Sequence, residues 1–411
     1  MYTFIARQPV LSRQKQVSAY EFAYRPHAED GSVQDPDQES FNIIFDLCTL
    51  LSMEHLTGGK PVFVKAAPDL LLSAHLQRLP TEPTVIEISK VVEPAPELVT
   101  ACQELKSAGY RLALNVHHIH SDLEKLQPLI ELADFIKVNV LTIPTEVQSD
   151  LLQRFGARGK RFVADFIEDE ETFRWTQEVG YELAQGRFLN RPVNLGLKSI
   201  PGVKLNYLQL IQEVSRPNFD FSRIEKIIKQ DVSLSFKLLR HINSAYFMNS
   251  GQIQSLRQAL ALMGETHLQK WVSLVAMAEM GKDKPEELII QAATRAKLCE
   301  SVAPVVGLND RREELFMMGM FSLLDAILDR SLREILKEIP LAEDIKEALT
   351  GAENKLHDVY QYLLAYEGGN WHRTWTYAAK LATDESCLPR FYLDSVNWVE
   401  QNFRSQPSMA S

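Results

Sequence analysis

The order of apolar and polar residues divides the chain into two parts with different periodicity. From residue 61 to about 192, short runs rich in Val, Ile, Leu and Phe alternate with longer amphipathic segments. Near-continuous apolar runs separated by helical segments are typical of a parallel sheet that is covered on both faces. Beyond residue 204 the strand signals stop, and helical patterns continue to about residue 396. This predicts an α/β half followed by an all-α half.

Eight segments of the first half have the composition of β-strands. They are YTFIA, VSAYEFAYR, PVFVKAA, TVIEIS, RLALNVH, DFIKVNV, RFVADFI and YELAQGRFL. Eight strands suit a barrel, although counting alone does not exclude a doubly wound sheet. Only RQPVLSRQKQ joins the first two strands, and this is too short for the crossover that parallel neighbours need. These two strands are therefore predicted to pair antiparallel.

The second half carries the signals of capped helices. SLRQALALMGETHLQKWVSLVAMAEM predicts two helices separated by a turn at Gly264. Capping boxes are predicted at Ser222 with Glu225 and at Ser255 with Gln258. A DNA-binding helix-turn-helix should present basic and amide side chains to base edges, but the second helix here is mostly apolar. We expect that helix to be buried core.

Composition excludes some classes of protein without deciding the function. The net charge is −10 and no long basic run occurs, so nucleic-acid binding is not expected. No uninterrupted apolar segment approaches the length of a membrane span, and the N-terminus shows no secretory signal pattern. The four cysteines form no C-x-x-C pair, which indicates reduced thiols. These features predict a cytoplasmic protein without a membrane contact.

Several stretches of the sequence resemble bacterial signalling domains. YEFAYR and QGRFLNRP resemble the EAL domain, a barrel that hydrolyses cyclic di-GMP. DVSLSFKLLRHINSAYF and LLAYEGGNW resemble the HDOD domain, which is named for its similarity to HD-type phosphohydrolases. The resemblance covers nearly the whole chain and is to tandem EAL–HDOD proteins. It implies an EAL barrel at 1–192, a linker at 193–204, a helical HDOD domain at 205–396 and a flexible tail at 397–411.

The resemblance also implies where the site of an EAL domain would lie. Active EAL domains hold two divalent cations with acids and an Asn at strand ends, because hard ions such as Mg²⁺ prefer oxygen ligands. Arg25 and Lys137 match residues that could meet the nucleotide phosphates. The positions that match the family's site are Glu21, Lys65, Glu87, Asn115, Val116, Lys137, Asp165 and Gln185.

Three of these positions lack the family's metal ligands. The Asp-Asp pair falls on Asn115 and Val116, and the Asn ligand falls on Lys65. The ammonium of Lys65 is expected to pair with Glu21 or Glu87, since buried carboxylates need a partner. The substitutions predict a degenerate phosphodiesterase site that holds no metal. The protein is therefore predicted not to be an enzyme. Mg²⁺ or Mn²⁺ would be required only if the site still functions.

Histidines elsewhere offer two further candidates for metal binding. HHIH at 117–120 follows a strand, where successive side chains point to opposite faces, so a solvated loop is favoured over a metal site. The His357–Asp358 pair lies about fifty residues from the end, on a helix face predicted to be solvated. An HD-type metal site is therefore not predicted.

The predicted function rests on the resemblance and on these substitutions. We expect a non-catalytic signal-transduction protein in cyclic di-GMP-related regulation, acting as an interaction platform for other signalling or regulatory proteins. The alternative is a cyclic di-GMP receptor or a weak phosphodiesterase. Nucleotide titration with and without Mg²⁺ or Mn²⁺ separates the two.

Overall fold

The described residues of the computed structural model are 4–25, 57–89, 94–116, 123–190, 202–216, 220–242 and 256–404. Those within Met1–Arg191 and Tyr362–Ser411 form one compact unit, and those within Pro192–Gln361 form a second. The second unit ends earlier than the helical domain predicted from the sequence, because residues from 362 onward pack with the first unit. The linker predicted at 193–204 lies outside the described residues except for 202–204, which begin a helix.

The first unit contains a closed barrel whose eight strands follow chain order. β1 pairs antiparallel with β2 and β8, and the other neighbours pair parallel, which confirms the predicted fold. β1 runs to Ser12 and so includes residues predicted as a connection, because Val10 and Leu11 are buried in the ladder. The strands are β1 (Phe4–Ser12), β2 (Val17–Arg25), β3 (Val62–Ala66), β4 (Thr84–Ile88), β5 (Arg111–Val116), β6 (Phe135–Asn139), β7 (Arg161–Ile167) and β8 (Leu183–Gly186).

Helices connect the parallel strands from β3 onward. Pro68 and Pro96 lie in the first turns of two of them, where a missing amide hydrogen costs no helical bond. The described helices are α1 (Pro68–Leu71), α2 (Pro96–Ser107), α3 (Leu123–Leu132), α4 (Thr145–Gly156) and α5 (Glu170–Val179), with 3-10 turns at Ala74–Arg78 and Phe188–Asn190.

One inward-facing residue from each strand fills the centre of the barrel. We call these eight residues the apolar layer, and none is more than 4% exposed. The rings of Phe63 and Phe135 meet edge to face with their centroids 5.3 Å apart. The members are Val10, Ala19, Phe63, Val85, Ala113, Phe135, Val163 and Leu183.

The second unit is helical. Its described helices are α6 (Gly202–Val214), α7 (Phe221–Gln230), α8 (Val232–Ile242), α9 (Leu256–Met280), α10 (Glu286–Val302), α11 (Arg312–Phe321), α12 (Leu324–Leu328), α13 (Leu332–Glu338) and α14 (Glu343–Leu349), with a 3-10 turn at Asn309–Arg311. The following helix, α15 (Lys355–Glu367), contains the boundary between the units. The carboxyl-terminal elements of the first unit are α16 (Trp371–Lys380), a 3-10 turn at Glu385–Cys387, α17 (Leu388–Val399) and a π-helical turn at Glu400–Arg404.

Several predictions for the helical part can be compared with this structure. Gly264 interrupts α9 with φ 68°, which confirms the predicted turn. The second half of α9 buries Leu268, Trp271 and Val272, which confirms that it is core. The cap predicted at Ser222 is wrong, because the carboxylate of Asp220 accepts the amide hydrogen of Ser222 at 2.8 Å. The cap predicted at Ser255 lies outside the described residues.

Two further predictions near the carboxyl end are corrected. The His357–Asp358 pair does not lie on a solvated face, since Asp358 is 9% exposed and His357 Nδ1 lies 2.8 Å from the carbonyl oxygen of Ala348. The tail predicted at 397–411 begins too early, because the chain stays helical through Arg404. Residues 405–411 lie outside the described part.

Candidate functional site at the barrel mouth

A second ring of inward-facing residues lies directly above the apolar layer. Side chains of a strand alternate between faces, so a residue two positions from an apolar-layer residue also faces the interior. Taken toward the carboxyl ends of the parallel strands, this step reaches a polar residue on every strand. We call this ring the polar layer. Its members are Gln8, Glu21, Lys65, Glu87, Asn115, Lys137, Asp165 and Gln185.

The structure therefore brings together seven of the eight positions that match the family's site. Val116 is the exception, because it neighbours Asn115 on β5 and so faces away from the interior, where it is 1% exposed. Gln8 was missed from the sequence. Its position opposite Glu21 in the antiparallel ladder could have identified it, had β1 been predicted to reach Ser12.

Lys137 is the central cation of the polar layer. Its side chain is 1% exposed, and its ammonium binds a carboxylate oxygen of Glu21 and lies 3.3 Å from oxygens of both Glu87 and Asp165. Burial opposes the charged form, but Asp165, Glu21 and Glu87 outweigh it and raise the pKa of Lys137 well above its ordinary value. Lys137 is thus a buried lysine that three carboxylates surround.

Lys65 provides the second cation, as expected from the sequence. Its Nζ lies 2.5 Å from Oε1 of Glu21, while its own side chain remains 40% exposed. Burial alone would raise the pKa of Glu21, but the charges of Lys137 and Lys65 together hold that pKa well below its usual range. Burial likewise opposes the charge of Lys65, yet Glu21 and Glu87 raise its pKa. Glu21 is therefore an ionised carboxylate between two ammonium groups.

Asp165 lies where β7 departs from regular pairing. Burial raises the pKa of Asp165, and the charge of Lys137 offsets this only in part. Its Oδ1 accepts the amide hydrogen of Phe166 at 2.9 Å, and Phe166 has φ 63°, which is unusual for a bulky residue.

The pairing of β7 with β8 shifts register between Ala164 and Ile167. A Cβ at Gly186 on β8 would lie 2.0 Å from the carbonyl oxygen of Ile167, so the irregularity requires glycine at position 186.

Two amide side chains complete the polar layer. Asn115 Nδ2 donates to Oε1 of Glu87 at 2.6 Å, and Gln185 Nε2 donates to Oε1 of Gln8 at 3.1 Å. The oxygens of both Asn115 and Gln185 are buried and accept no hydrogen bond within the described part of the chain. Buried acceptors of this kind commonly receive a water or a ligand group.

A pair of divalent cations would need free oxygen ligands in the polar layer. Its three carboxylates could supply oxygen ligands, but all three already lie against Lys137. Within the ranges that the structure describes, no three His, Cys, Asp or Glu residues are placed to hold a metal. The HHIH segment lies outside those ranges. The side chains, as arranged, do not fit the two-cation set that the resemblance implies.

Comparisons with known proteins agree with this architecture. Residues 199–366 match the HDOD domain family. YuxH of Bacillus subtilis is 30% identical over 404 residues, which cover 97% of this chain and 98% of YuxH. The chain belongs to the EAL–HDOD family. Another relative, named cyclic di-GMP phosphodiesterase CdgJ, from Vibrio cholerae, is 28% identical over 405 residues, covering 97% of this chain and 93% of CdgJ.

Two solved structures of other proteins resemble the barrel of this EAL–HDOD protein. BlrP1 of Klebsiella pneumoniae, in a calcium and cyclic di-GMP complex, has a TM-score of 0.38 and 20% identity over 45% of this chain and 54% of its own. A standalone EAL protein of Vibrio cholerae, bound to cyclic di-GMP, has a TM-score of 0.37 and 18% identity over 45% of this chain and 89% of its own.

The prediction that the chain is not an enzyme is wrong in the light of CdgJ. That relative aligns with 97% of the chain and is named a phosphodiesterase. The prediction relied on the metal ligands missing at 65, 115 and 116. Glu21, Glu87 and Asp165 keep their carboxylates, and the fold brings these three around one ammonium group. Among the described helices, none has the length and apolarity needed to cross a membrane.

Proposed function

We propose that this EAL–HDOD protein acts in cyclic di-GMP signalling and binds cyclic di-GMP at the barrel mouth, above the polar layer. The observation that carries the proposal is the half-exposed side chain of Lys65, whose ammonium lies 2.5 Å from Glu21 at the edge of the polar layer. The name of CdgJ, a relative along nearly the whole chain, supports the choice of nucleotide.

The two lysines lower the negative charge that an anionic ligand would meet at the polar layer. Three carboxylates without cations would repel a phosphodiester at short range. Lys65 and Lys137 reduce that charge from −3 to −1. The two lysines thus supply positive charge where active EAL domains are expected to hold cations.

Lys65 is the lysine best placed to meet a phosphate. Its side chain is 40% exposed, whereas that of Lys137 is 1% exposed and surrounded by carboxylates. The phosphate contacts predicted for Lys137 and Arg25 stay predictions. Arg25 is the last residue of β2, at the carboxyl end of the barrel, and its side chain lies outside the described part.

The test is calorimetric titration of the full chain with cyclic di-GMP, without metal and with Mg²⁺ or Mn²⁺, combined with an assay for linear product. Lys65→Met should weaken binding by roughly tenfold, the value of one charge-assisted contact. Lys60→Met, an exposed lysine just before β3, is the matched control and should bind as the parent does.

The outcomes separate the possible roles of the site. Binding with metal-dependent linearisation would make the protein a phosphodiesterase, and binding without linearisation would make it a receptor. The absence of saturable binding up to about 100 µM would overturn the proposal. The protein-interaction platform stays a prediction, and an affinity pull-down with and without cyclic di-GMP would test whether the nucleotide controls partner binding.

A further inference from the structure

The barrel closes at a seam between its first and last strands, and the ladder at this seam is short. β1 pairs with β2 at eight positions, from Phe4 to Leu11. Within the described residues, it pairs with β8 only through Leu11 and Ser12. The amino-terminal part of β1 therefore has no strand partner on its β8 side, which leaves backbone groups that other elements must satisfy.

Pro9 gives a physical reason for this seam. Amide hydrogens of alternate residues point to the same side of a strand, so Arg7, Pro9 and Leu11 share one direction. Leu11 pairs with Ala184, but Pro9 has no hydrogen to donate. The ladder between β1 and β8 therefore stops at Leu11, and the amide of Arg7 needs another acceptor.

The segment that follows the HDOD match supplies this acceptor. The backbone N–H of Arg7 donates to the hydroxyl of Tyr392 in α17 at 3.3 Å, and this bond is buried. Gln8 Nε2 donates to the carbonyl oxygen of Gly368 at 3.1 Å. The HDOD match ends at residue 366, so both partners lie beyond it and within the same compact unit as the barrel.

The contact with Gly368 continues into the polar layer. The carbonyl oxygen of Gly368 can only accept a hydrogen bond, so the Gln8 side chain must turn its Nε2 toward Gly368. The Oε1 of Gln8 is then left to accept a hydrogen bond on the other side. That Oε1 takes the hydrogen of Gln185 Nε2 at 3.1 Å. Gln185 must then present its own Oε1 elsewhere, and this buried oxygen has no partner in the described part of the chain. One carbonyl thus determines which atom Gln185 offers to a ligand.

We propose that residues 367–404 complete the barrel by closing its β1–β8 seam, and that Gln8 is a positioning residue through which Gly368 orients the Gln185 amide at the mouth. The first part is independent of the ligand. The second part rests on the proposed binding of cyclic di-GMP.

The seam is tested by hydrogen exchange of the full chain. Tyr392→Phe removes one hydroxyl, and exchange in peptides covering β1 should become at least about fivefold faster. Tyr377→Phe, a half-exposed tyrosine in α16, is the matched control and should leave that exchange unchanged. Unchanged exchange of β1 in Tyr392→Phe would overturn the closure of the seam, whatever the nucleotide does.

The positioning role is tested by a double-mutant cycle on cyclic di-GMP affinity. Gln8→Met and Gln185→Met should each weaken binding about fivefold, and the double variant should be no weaker than Gln185→Met. A residue that only supports the fold would add its effect to that of Gln185→Met, and this additive result would overturn the role of Gln8. If Gln8→Met does not fold, Gln8→Leu, which also lacks both amide atoms, replaces it in the same cycle. A parent protein that binds no nucleotide refutes the proposed function, while the exchange experiment still decides the seam.

Discussion

The apolar layer and the polar layer lie on the same eight strands, two residues apart, yet different forces hold them. The apolar layer consists of side chains that are at most 4% exposed and need no specific partner. The polar layer is as buried at Glu21 and Lys137, where each charge depends on an opposite charge. The first layer is stabilised by burial and packing, and the second costs desolvation that only correct pairing repays.

This difference suggests separate roles for the two layers: the apolar layer stabilises the barrel, and the polar layer is the proposed binding site. Loss of volume in the apolar layer should have the same effect at any pH. Loss of a charge in the polar layer should depend on pH and on the partner left behind.

The largest effect is expected for Lys137→Met. The variant keeps most of the side-chain volume but leaves three buried carboxylates without their central cation. The free energy of unfolding at pH 7, measured by urea denaturation, should fall by about 3–5 kcal/mol. Lys60→Met should change it by less than about 0.5 kcal/mol. A loss below about 1 kcal/mol in Lys137→Met would show that water already screens the carboxylates.

Acidification should reverse part of this loss. In the parent, the lowered pKa of Glu21 gives stability that is present above its ordinary value of 4.5 and lost as the pH falls below it. Without Lys137, the buried carboxyls favour their protonated forms, so the variant should gain stability as the pH falls from 7 toward 4.5. The difference in unfolding free energy between the parent and Lys137→Met should be smaller at pH 4.5 than at pH 7 by roughly 1–2 kcal/mol.

The apolar layer provides the control for this pH dependence. Val163→Ala changes no charge, so its cost should stay constant over the same pH range. If the loss of unfolding free energy in Val163→Ala varies with pH as that in Lys137→Met does, the two layers are not stabilised by different forces.

A smaller effect is expected for Asn115→Asp. The change replaces a donor, 2.6 Å from Oε1 of Glu87, with a second carboxylate oxygen. The unfolding free energy at pH 7 should fall by about 1–3 kcal/mol, because a hydrogen bond becomes a repulsion. Asn206→Asp, on the exposed face of α6, is the matched control. Equal stability of the two variants would mean that Asn115 does not hold Glu87.

The smallest effect on stability is expected for Lys65→Met. Lys137 still pairs with Glu21 in this variant, and the Lys65 side chain is 40% exposed, so solvent already weakens its ion pair. The thermal midpoint and urea denaturation should both indicate a loss of only about 1 kcal/mol. A loss as large as that of Lys137→Met would show that the two lysines are equivalent.

The sequence allowed the strands to be predicted from their apolar runs, and the antiparallel first pair from its short connection. It allowed the Lys65–Glu21 ion pair to be predicted because both residues match the ends of neighbouring strands. It did not reveal the central position of Lys137, which depends on the stagger of the closed barrel. Nor did it reveal that Tyr392 contacts Arg7, because nothing local in either segment indicates a partner 385 residues away.

The contact between Arg7 and Tyr392 also has a consequence for synthesis of the chain. Tyr392 leaves the ribosome 385 residues after Arg7. A nascent barrel can form the Leu11–Ala184 pair early, but it lacks the Tyr392 contact until the segment that matches the HDOD family has been translated. During this interval, Pro9 limits the strand pairing that the amino-terminal part of β1 could offer to another chain.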